Sequence, residues 1–374
     1  MFRHLSRPIR GLPSPCITSV RTLCTTVLGE SRRRYVRGEL LHENAFGDNK
    51  VFKASSGNES FILKQESDSR ALISQRLAYE FAGSRRLRLP IDVCPDDEML
   101  VYPYYTDDMF NLIENNPDLP VDEIVKILRH VGESIQELHA KGWLHRDIKP
   151  NNIFVNWTSD EQGKKTITNA VLGDYDIAVK LKGDTPVRSP YPLGNVMWRS
   201  PEQQCGSGIT KASDIFSYGL VCLYALGGGD LLLLHDKELR TKLANIGVSA
   251  KREILTRHFT YFGPSLSEAL LSRVDSDQQY HLHEASEVAK MAVKEQPELH
   301  FDVWGNNLGD DAHAMIAGMT NPDPTARSTI DQVLASSWWE KDGGAIAGGS
   351  PDISLASFLA FTLIPRARAK QMKV

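Results

Sequence analysis

His145-Arg146-Asp147-Ile148-Lys149-Pro150-Asn151-Asn152 places an imidazole, a guanidinium, a carboxylate, an ammonium and two carboxamides within eight residues. The stretch follows a segment in which Val121, Ile124, Leu128, Val131, Ile135 and Leu138 recur at spacings of three and four, which predicts a long helix with one apolar face. Pro120 and the acids Asp122 and Glu123 stand at its start, where they suit the free N–H groups and the positive end of the helix dipole.

Upstream of that helix the pattern changes. Val51-Phe52-Lys53-Ala54 and Ser60-Phe61-Ile62-Leu63-Lys64 flank Ser56-Gly57-Asn58, which reads as a β-hairpin. Residues 69–88 carry Leu72, Ile73, Leu77 and Phe81 at a helical period, and Met99-Leu100-Val101-Tyr102 is an apolar run of strand length. Downstream of the polar loop, helices are predicted over 212–227, 265–273, 284–295, 311–319 and 329–338. A small β-rich half is thus followed by a larger helical half.

The composition agrees with a folded domain of this size. The chain has 374 residues, 41% hydrophobic and 24% charged, which excludes fibrous, collagen-like and wholly disordered classes. Its apolar clusters, such as Leu220–Leu226, fall far below the ~20 residues that span a bilayer, so no transmembrane segment is expected. Five scattered cysteines without a C-x-x-C pair argue against a disulfide framework or a zinc ribbon and favour a reducing compartment. The net charge is −4, yet residues 1–37 hold eight Arg against Glu30 alone, so the body of the chain is mildly acidic. No basic face suggests nucleic-acid binding. The start of the chain, 1–29, is Arg-rich and free of acids, in the manner of a mitochondrial transit peptide. A cytoplasmic protein with a basic leader is the expectation, and mitochondrial targeting is the alternative.

The loop 145–152 resembles the catalytic loop of eukaryotic protein kinases at its His, Arg, Asp, Lys, Pro and final Asn. Other motifs extend the resemblance over roughly 35–340. Lys64 ends Phe-Ile-Leu-Lys in the manner of the strand lysine that holds the nucleotide phosphates, and Glu80, ten residues before Pro90, fits the helix glutamate that pairs with it. Asp174-Tyr175-Asp176 stands in the place of Asp-Phe-Gly. Trp198-Arg199-Ser200-Pro201-Glu202 looks like the end of an activation segment, and Asp214 looks like the helix residue that anchors the catalytic loop. Asn321-Pro322-Asp323-Pro324-Thr325-Ala326-Arg327 resembles the last signature of the helical lobe, whose Arg would pair with Glu202. As a whole the chain is similar to a divergent group of fungal Ser/Thr protein kinases.

The resemblance implies an α+β, bilobal protein-kinase-like fold, with a small β-rich N-lobe at 35–103 and a larger helical C-lobe at 104–340. A basic leader (1–34) and a C-terminal tail (341–374) would flank it. It implies a protein serine/threonine kinase using ATP and Mg2+ on protein substrates. Asp147 would orient the acceptor hydroxyl, Lys149 offset charge, and Lys64 with Glu80 position phosphates. Asn152 and Asp174 would be the metal ligands. Gly47, Val51, Tyr102, Tyr105 and Asp108 would complete the nucleotide site, with Tyr102 as a bulky gatekeeper and Asp108 near the ribose. Pro103 at the hinge still offers its C=O to a base. A pseudokinase scaffold is the alternative, and three departures bear on the site, the last on the preference for Ser/Thr hydroxyls. Only Gly47 remains of the glycine-rich loop, Asp176 stands where Gly is usual, and Asn195 replaces a Thr. For Asp176, a side chain turned to local backbone is the preferred reading over a third magnesium ligand.

Overall fold

The computed structural model describes residues 25–44, 49–183, 185–228, 241, 243, 245 and 247–340. Strands β1 (Thr26–Leu28), β2 (Arg34–Glu43), β3 (Lys50–Ser56), β4 (Glu59–Gln65), β5 (Asp92–Cys94) and β6 (Met99–Pro103) form one six-stranded sheet, ordered β1-β2-β3-β4-β6-β5. Every pairing in it is antiparallel. The β3–β4 turn has Gly57 at φ 60° in its first central position, a conformation glycine adopts without strain and a two-residue hairpin needs. Helix α1 (Asp68–Glu80) follows β4. It is shorter than the 69–88 read from periodicity, because the chain turns at Phe81 and Gly83 takes φ 86°.

The folded N-lobe also begins earlier than residue 35. Strand β1 pairs with β2 through Thr26↔Val36, and Val27 is buried with Tyr35, Phe61 and Val101 in one apolar cluster. Tyr35 donates its hydroxyl to Asp92 at 2.9 Å, and Ser31 donates to the same carboxylate. This strap therefore belongs to the sheet's core. The calls on the segment 1–24, the tail 341–374 and Gly47 lie outside the described residues.

After β6 come β7 (Asp107–Asp108), α2 (Met109–Asn115) and α3 (Val121–Ala140). The α3 face predicted to be apolar is buried at Ile124, Leu128, Val131, Ile135 and Leu138, and Ile127 joins it. At about 1.5–3 kcal/mol per fully buried aliphatic side chain, that face fixes the centre of the helical lobe. Strand β8 (Trp143–Leu144) leads into the loop 145–152. Strands β9 (Ile153–Ser159) and β10 (Lys165–Leu172) form a hairpin whose β9 also pairs with β7. Strand β11 (Val179–Lys180) pairs with β8.

The rest is helical: α4 (Pro201–Gln204), α5 (Lys211–Leu223), α6 (Ala250–Phe262), α7 (Glu268–Leu271), α8 (Ser276–Glu295), α9 (Phe301–Trp304), α10 (Asp310–Thr320) and α11 (Ile330–Leu334). The largest apolar cluster spans α2, α3, α5, α10 and α11. Helix α6 is absent from the periodicity reading for a physical reason. It is buried nearly all round, and its buried residues include Glu253, Thr256, Arg257, His258 and Thr260, so no polar face stands out.

Candidate active site

One pair of short strands decides the site. Because β8 pairs with β11, the loop 145–152 and the segment 174–178 leave adjacent strands side by side. Asp214 of α5 is fully desolvated and accepts the backbone N–H of His145 and of Arg146, both at 2.9 Å, and lies 3.0 Å from His139 Nε2. These contacts hold Arg146 at φ 69°, a region that non-glycine residues rarely occupy. Asp174 is held likewise at φ 67°. Backbone strain of this kind concentrates where geometry serves function. His145 packs against Tyr175 with the rings tilted and their centroids 5.0 Å apart, and Tyr175 donates to Leu172 O at 2.6 Å. Tyr175 thus packs as an aromatic anchor beneath Asp174.

Asp147 stands at the centre of the loop. Its Oδ2 is 2.6 Å from Lys149 Nζ and accepts from Asn152 Nδ2 at 3.2 Å. Its Oδ1 accepts the backbone N–H of Asn195 at 2.8 Å. The residue that replaces Thr therefore reaches Asp147 through its main chain, while its side chain accepts from Met197 N. Gly194 permits this approach: at φ 85° a Cβ there would lie 2.6 Å from Arg146 O. Arg146 itself is buried, with Nε and Nη2 lacking a hydrogen-bond partner among the described residues.

Lys64 meets three carboxylates. Nζ is 2.7 Å from Asp174 Oδ1, 2.6 Å from Asp176 Oδ1 and 3.1 Å from Glu66 Oε1. Burial alone would favour the neutral amine, but the carboxylates outweigh it and hold its pKa well above the ordinary value. Asp174 shows the mirror effect: burial opposes ionisation, and Lys64 overrides it and lowers the pKa. Asp176 is pushed up to about 6 by burial and then by the neighbouring charge of Asp174. Its side chain points into the site, toward Lys64 and Arg70, and not to local backbone. The reading that turned it away is corrected.

Glu80 is the second correction. It ends α1 and pairs with Lys180 Nζ at 2.7 Å, Trp143 Nε1 at 2.9 Å and Arg76 Nε at 2.9 Å, remote from Lys64. The α1 residue that faces the lysine's surroundings is Ser74, about 9 Å nearer along the axis at 1.5 Å per residue. Ser74 donates to Glu66 at 3.1 Å. Glu66, two residues beyond Lys64 and just past the end of β4, has a fully buried side chain and also accepts from the Tyr102 hydroxyl at 3.0 Å. It occupies the place expected of the helix glutamate. The signal was present as Lys64-x-Glu66 across the end of β4, where extended backbone keeps residues two apart on one side.

The remaining candidates are placed as follows. Val51 lies opposite Lys64 and packs with Ile62, Leu100 and Tyr102. Tyr102 closes the rear of the cleft over Glu66. Tyr105 sits 6.3 Å from Phe154, ring to ring. Asp108 caps α2, accepting from Asn111 N at 3.0 Å and Asn111 Nδ2 at 2.7 Å. Asn152 donates to Asp147 O at 2.8 Å, and its Oδ1 takes no hydrogen bond among the described residues. Asp174 Oδ2 is open in the same sense. Two such oxygens suit magnesium, which takes one or two protein ligands and completes its octahedron with phosphate and water. Among the described residues no cluster of three His, Cys, Asp or Glu forms a self-sufficient metal cage.

Comparison with known proteins places the chain in a family. The protein kinase domain profile matches residues 90–339, and the chain belongs to that family. The serine/threonine-protein kinase PrkC of Bacillus subtilis is 29% identical over 182 residues, which cover 49% of this chain and 26% of PrkC. The US3 homologue of Gallid herpesvirus 2, a serine/threonine-protein kinase, is 32% identical over 166 residues, 44% of this chain and 36% of that protein. The matches therefore span about a quarter to a third of those relatives' length. Among solved structures, a chain of the yeast RNA polymerase II CTD kinase complex CTDK-1 superposes with a TM-score of 0.60 at 16% identity, covering 92% of this chain and 99% of that one. That likeness concerns the fold. No helix among the described residues is long and apolar enough to cross a membrane.

Proposed function

We propose that this chain is a protein serine/threonine kinase that transfers the γ-phosphoryl group of a magnesium nucleoside triphosphate, ATP by family resemblance, to hydroxyls of protein substrates. The observation that carries the reading is the convergence of Asp147, Lys149 and Asn152 beside the Lys64–Asp174 pair. Asp147, with one oxygen fixed by Asn195 N, is placed to orient an acceptor hydroxyl and take its proton. Lys149, now on Asp147, offers a cation to the transferring phosphoryl group, and Lys64 one to the bound phosphates. Asn152 and Asp174 would hold magnesium, which when bound supplies charge neutralisation at the phosphate oxygens. Glu66, just past the end of β4, keeps Lys64 in place.

The test is transfer of labelled γ-phosphate to a Ser, Thr and Tyr peptide library with magnesium and with chelator. Magnesium-dependent labelling of Ser and Thr is expected. Nucleotide binding without any transfer would replace the kinase by a pseudokinase scaffold.

The exchange of Glu80 for Glu66 has its own signature. Hydrogen bonds to charged groups contribute about 1.5–3 kcal/mol, so Glu66→Gln is expected to lower kcat/KM by about tenfold or more. Glu80→Gln touches a pair with the partly exposed Lys180 and is expected to stay within about threefold of wild type. Steady-state kinetics on both variants decides; a larger loss from Glu80→Gln would restore the helix residue to the role.

A further inference from the structure

The stretch between α1 and β5 is pinned to β10. Arg88 N donates to Leu172 O at 2.7 Å, and Leu172 N donates to Arg86 O at 3.0 Å. Leu87 on one side of Arg88 is buried in the main core, and the Arg88 side chain turns the other way, toward the cleft. Its Cβ comes within 3.0 Å of where a Cβ on Gly173 would stand, so Gly173, the residue before Asp174, leaves the room that Arg88 uses.

The guanidinium lies 4.1 Å from the ring centre of Phe154, 5.3 Å from Tyr102 and 5.9 Å from Tyr105. Phe154 is two residues past Asn152, and Tyr102 lies opposite Ile62, two residues along β4 from Lys64. Arg88 thus sits among the aromatic rings of the cleft, close enough to Asp174 to feel its charge but making no ion pair with it, on the side where a base would lie. Its Nε and Nη2 donate to Pro103 O at 3.1 and 2.9 Å. A carbonyl oxygen has two lone pairs, and both are engaged here. Pro103 has no N–H to offer. The hinge acceptor expected from the sequence is therefore already used.

The rest of the guanidinium is not used. Nη1 makes no hydrogen bond, and no carboxylate pairs with Arg88, among the described residues. Burial lowers its pKa to about 10, which still leaves a cation at neutral pH. Arg88 is half-buried, and its idle Nη1 donors are open to solvent or to a ligand that supplies acceptors. Adenine presents an amino donor beside N7, and guanine presents two acceptors, O6 and N7, that match an arginine fork.

Given the nucleotide site proposed above, on which this reading rests, we propose that Arg88 reads the base and turns the preference of the cleft from adenine toward guanine nucleotides. Adenine's amino group would meet N–H donors and a filled carbonyl, whereas guanine's O6 and N7 would meet the idle edge of Arg88.

The experiment is calorimetric titration of the full chain with magnesium complexes of non-hydrolysable GTP and ATP analogues, for wild type, Arg88→Val and Arg88→Met. Wild type is expected to bind the guanine analogue about tenfold tighter or more. Both variants are expected to reverse the ratio, and the Met variant keeps an unbranched chain of similar reach, so loss of donors is separated from loss of packing. An adenine preference in wild type that persists in both variants overturns the proposal and leaves the kinase reading standing. Adenine binding that appears only in the variants, with no guanine binding in wild type, overturns it too and makes Arg88 a plug. Binding of neither analogue to any of the three proteins removes the nucleotide site itself, and the base preference with it.

Discussion

Asp147→Asn is expected to lower kcat by about 10²- to 10⁴-fold, the range for removal of a positioned general acid–base group, with KM for the nucleotide little changed. The split follows from the geometry. Asp147 contacts Lys149, Asn152 and Asn195 N, all within the catalytic loop and the segment that crosses it, and makes no contact with Lys64 or Asp174. The amide keeps an oxygen for Asn195 N but cannot take a proton from an acceptor hydroxyl. Its side chain is 13% exposed and lies outside the apolar core, so the variant should unfold near the wild-type midpoint. Single-turnover transfer of labelled phosphate, read beside thermal melting, checks both halves. Equal labelling by variant and wild type would remove Asp147 from the chemistry.

What the sequence disclosed, and what it hid, follows from how each interaction is encoded. The catalytic loop, Asp214 and the Glu202–Arg327 pair are local strings whose residue types have few other uses in such order. They were legible because the motif and the contact coincide. Glu80 was misassigned because distance along the chain to Pro90 stood in for position on a helix. Helix α1 stops at Glu80, where Lys180 and Trp143 claim the carboxylate, and the buried partner of Lys64 comes from the residue just past its own strand. Arg88 was unreadable for a different reason. An arginine among Arg85, Arg86 and Arg88 looks like surface charge, and only the β10 contact turns that one side chain inward. Helix α6 escaped notice because buried Arg257 and Glu253, 3.1 Å apart, erase the amphipathic period. Strand β1 is three residues long, too short for a pattern, and it reads as structure only through Val27 in the core.

Glu202→Ala is expected to cost about 3–5 kcal/mol of folding stability, because it leaves a buried arginine without its counter-charge. Both side chains are fully buried, and the pair is bidentate, Nη1–Oε1 at 2.7 Å and Nη2–Oε2 at 2.9 Å. Ser213 Oγ also donates to Glu202 at 2.7 Å and would lose its acceptor. The remaining Arg327 donors are all engaged: Nε with Asn321 O, Nη1 with Ala212 O, Nη2 with Pro322 O. All five guanidinium N–H groups thus have acceptors in the native protein, and the variant strips two of them at once. Against a typical domain stability of about 5–15 kcal/mol, the loss brings the helical lobe near its limit. Arg327→Met should be costly for the mirrored reason, a buried carboxylate left without a counter-charge. Combining Glu202→Leu with Arg327→Met removes both charges, so the double variant should lose much less than the sum of the two single changes. Urea unfolding followed through tryptophan fluorescence measures the cycle, with buried Trp198 close in sequence to Glu202. A Glu202→Ala cost below about 1 kcal/mol would mean that water or another group compensates Arg327, and that the pair does not hold the activation segment to the helical lobe.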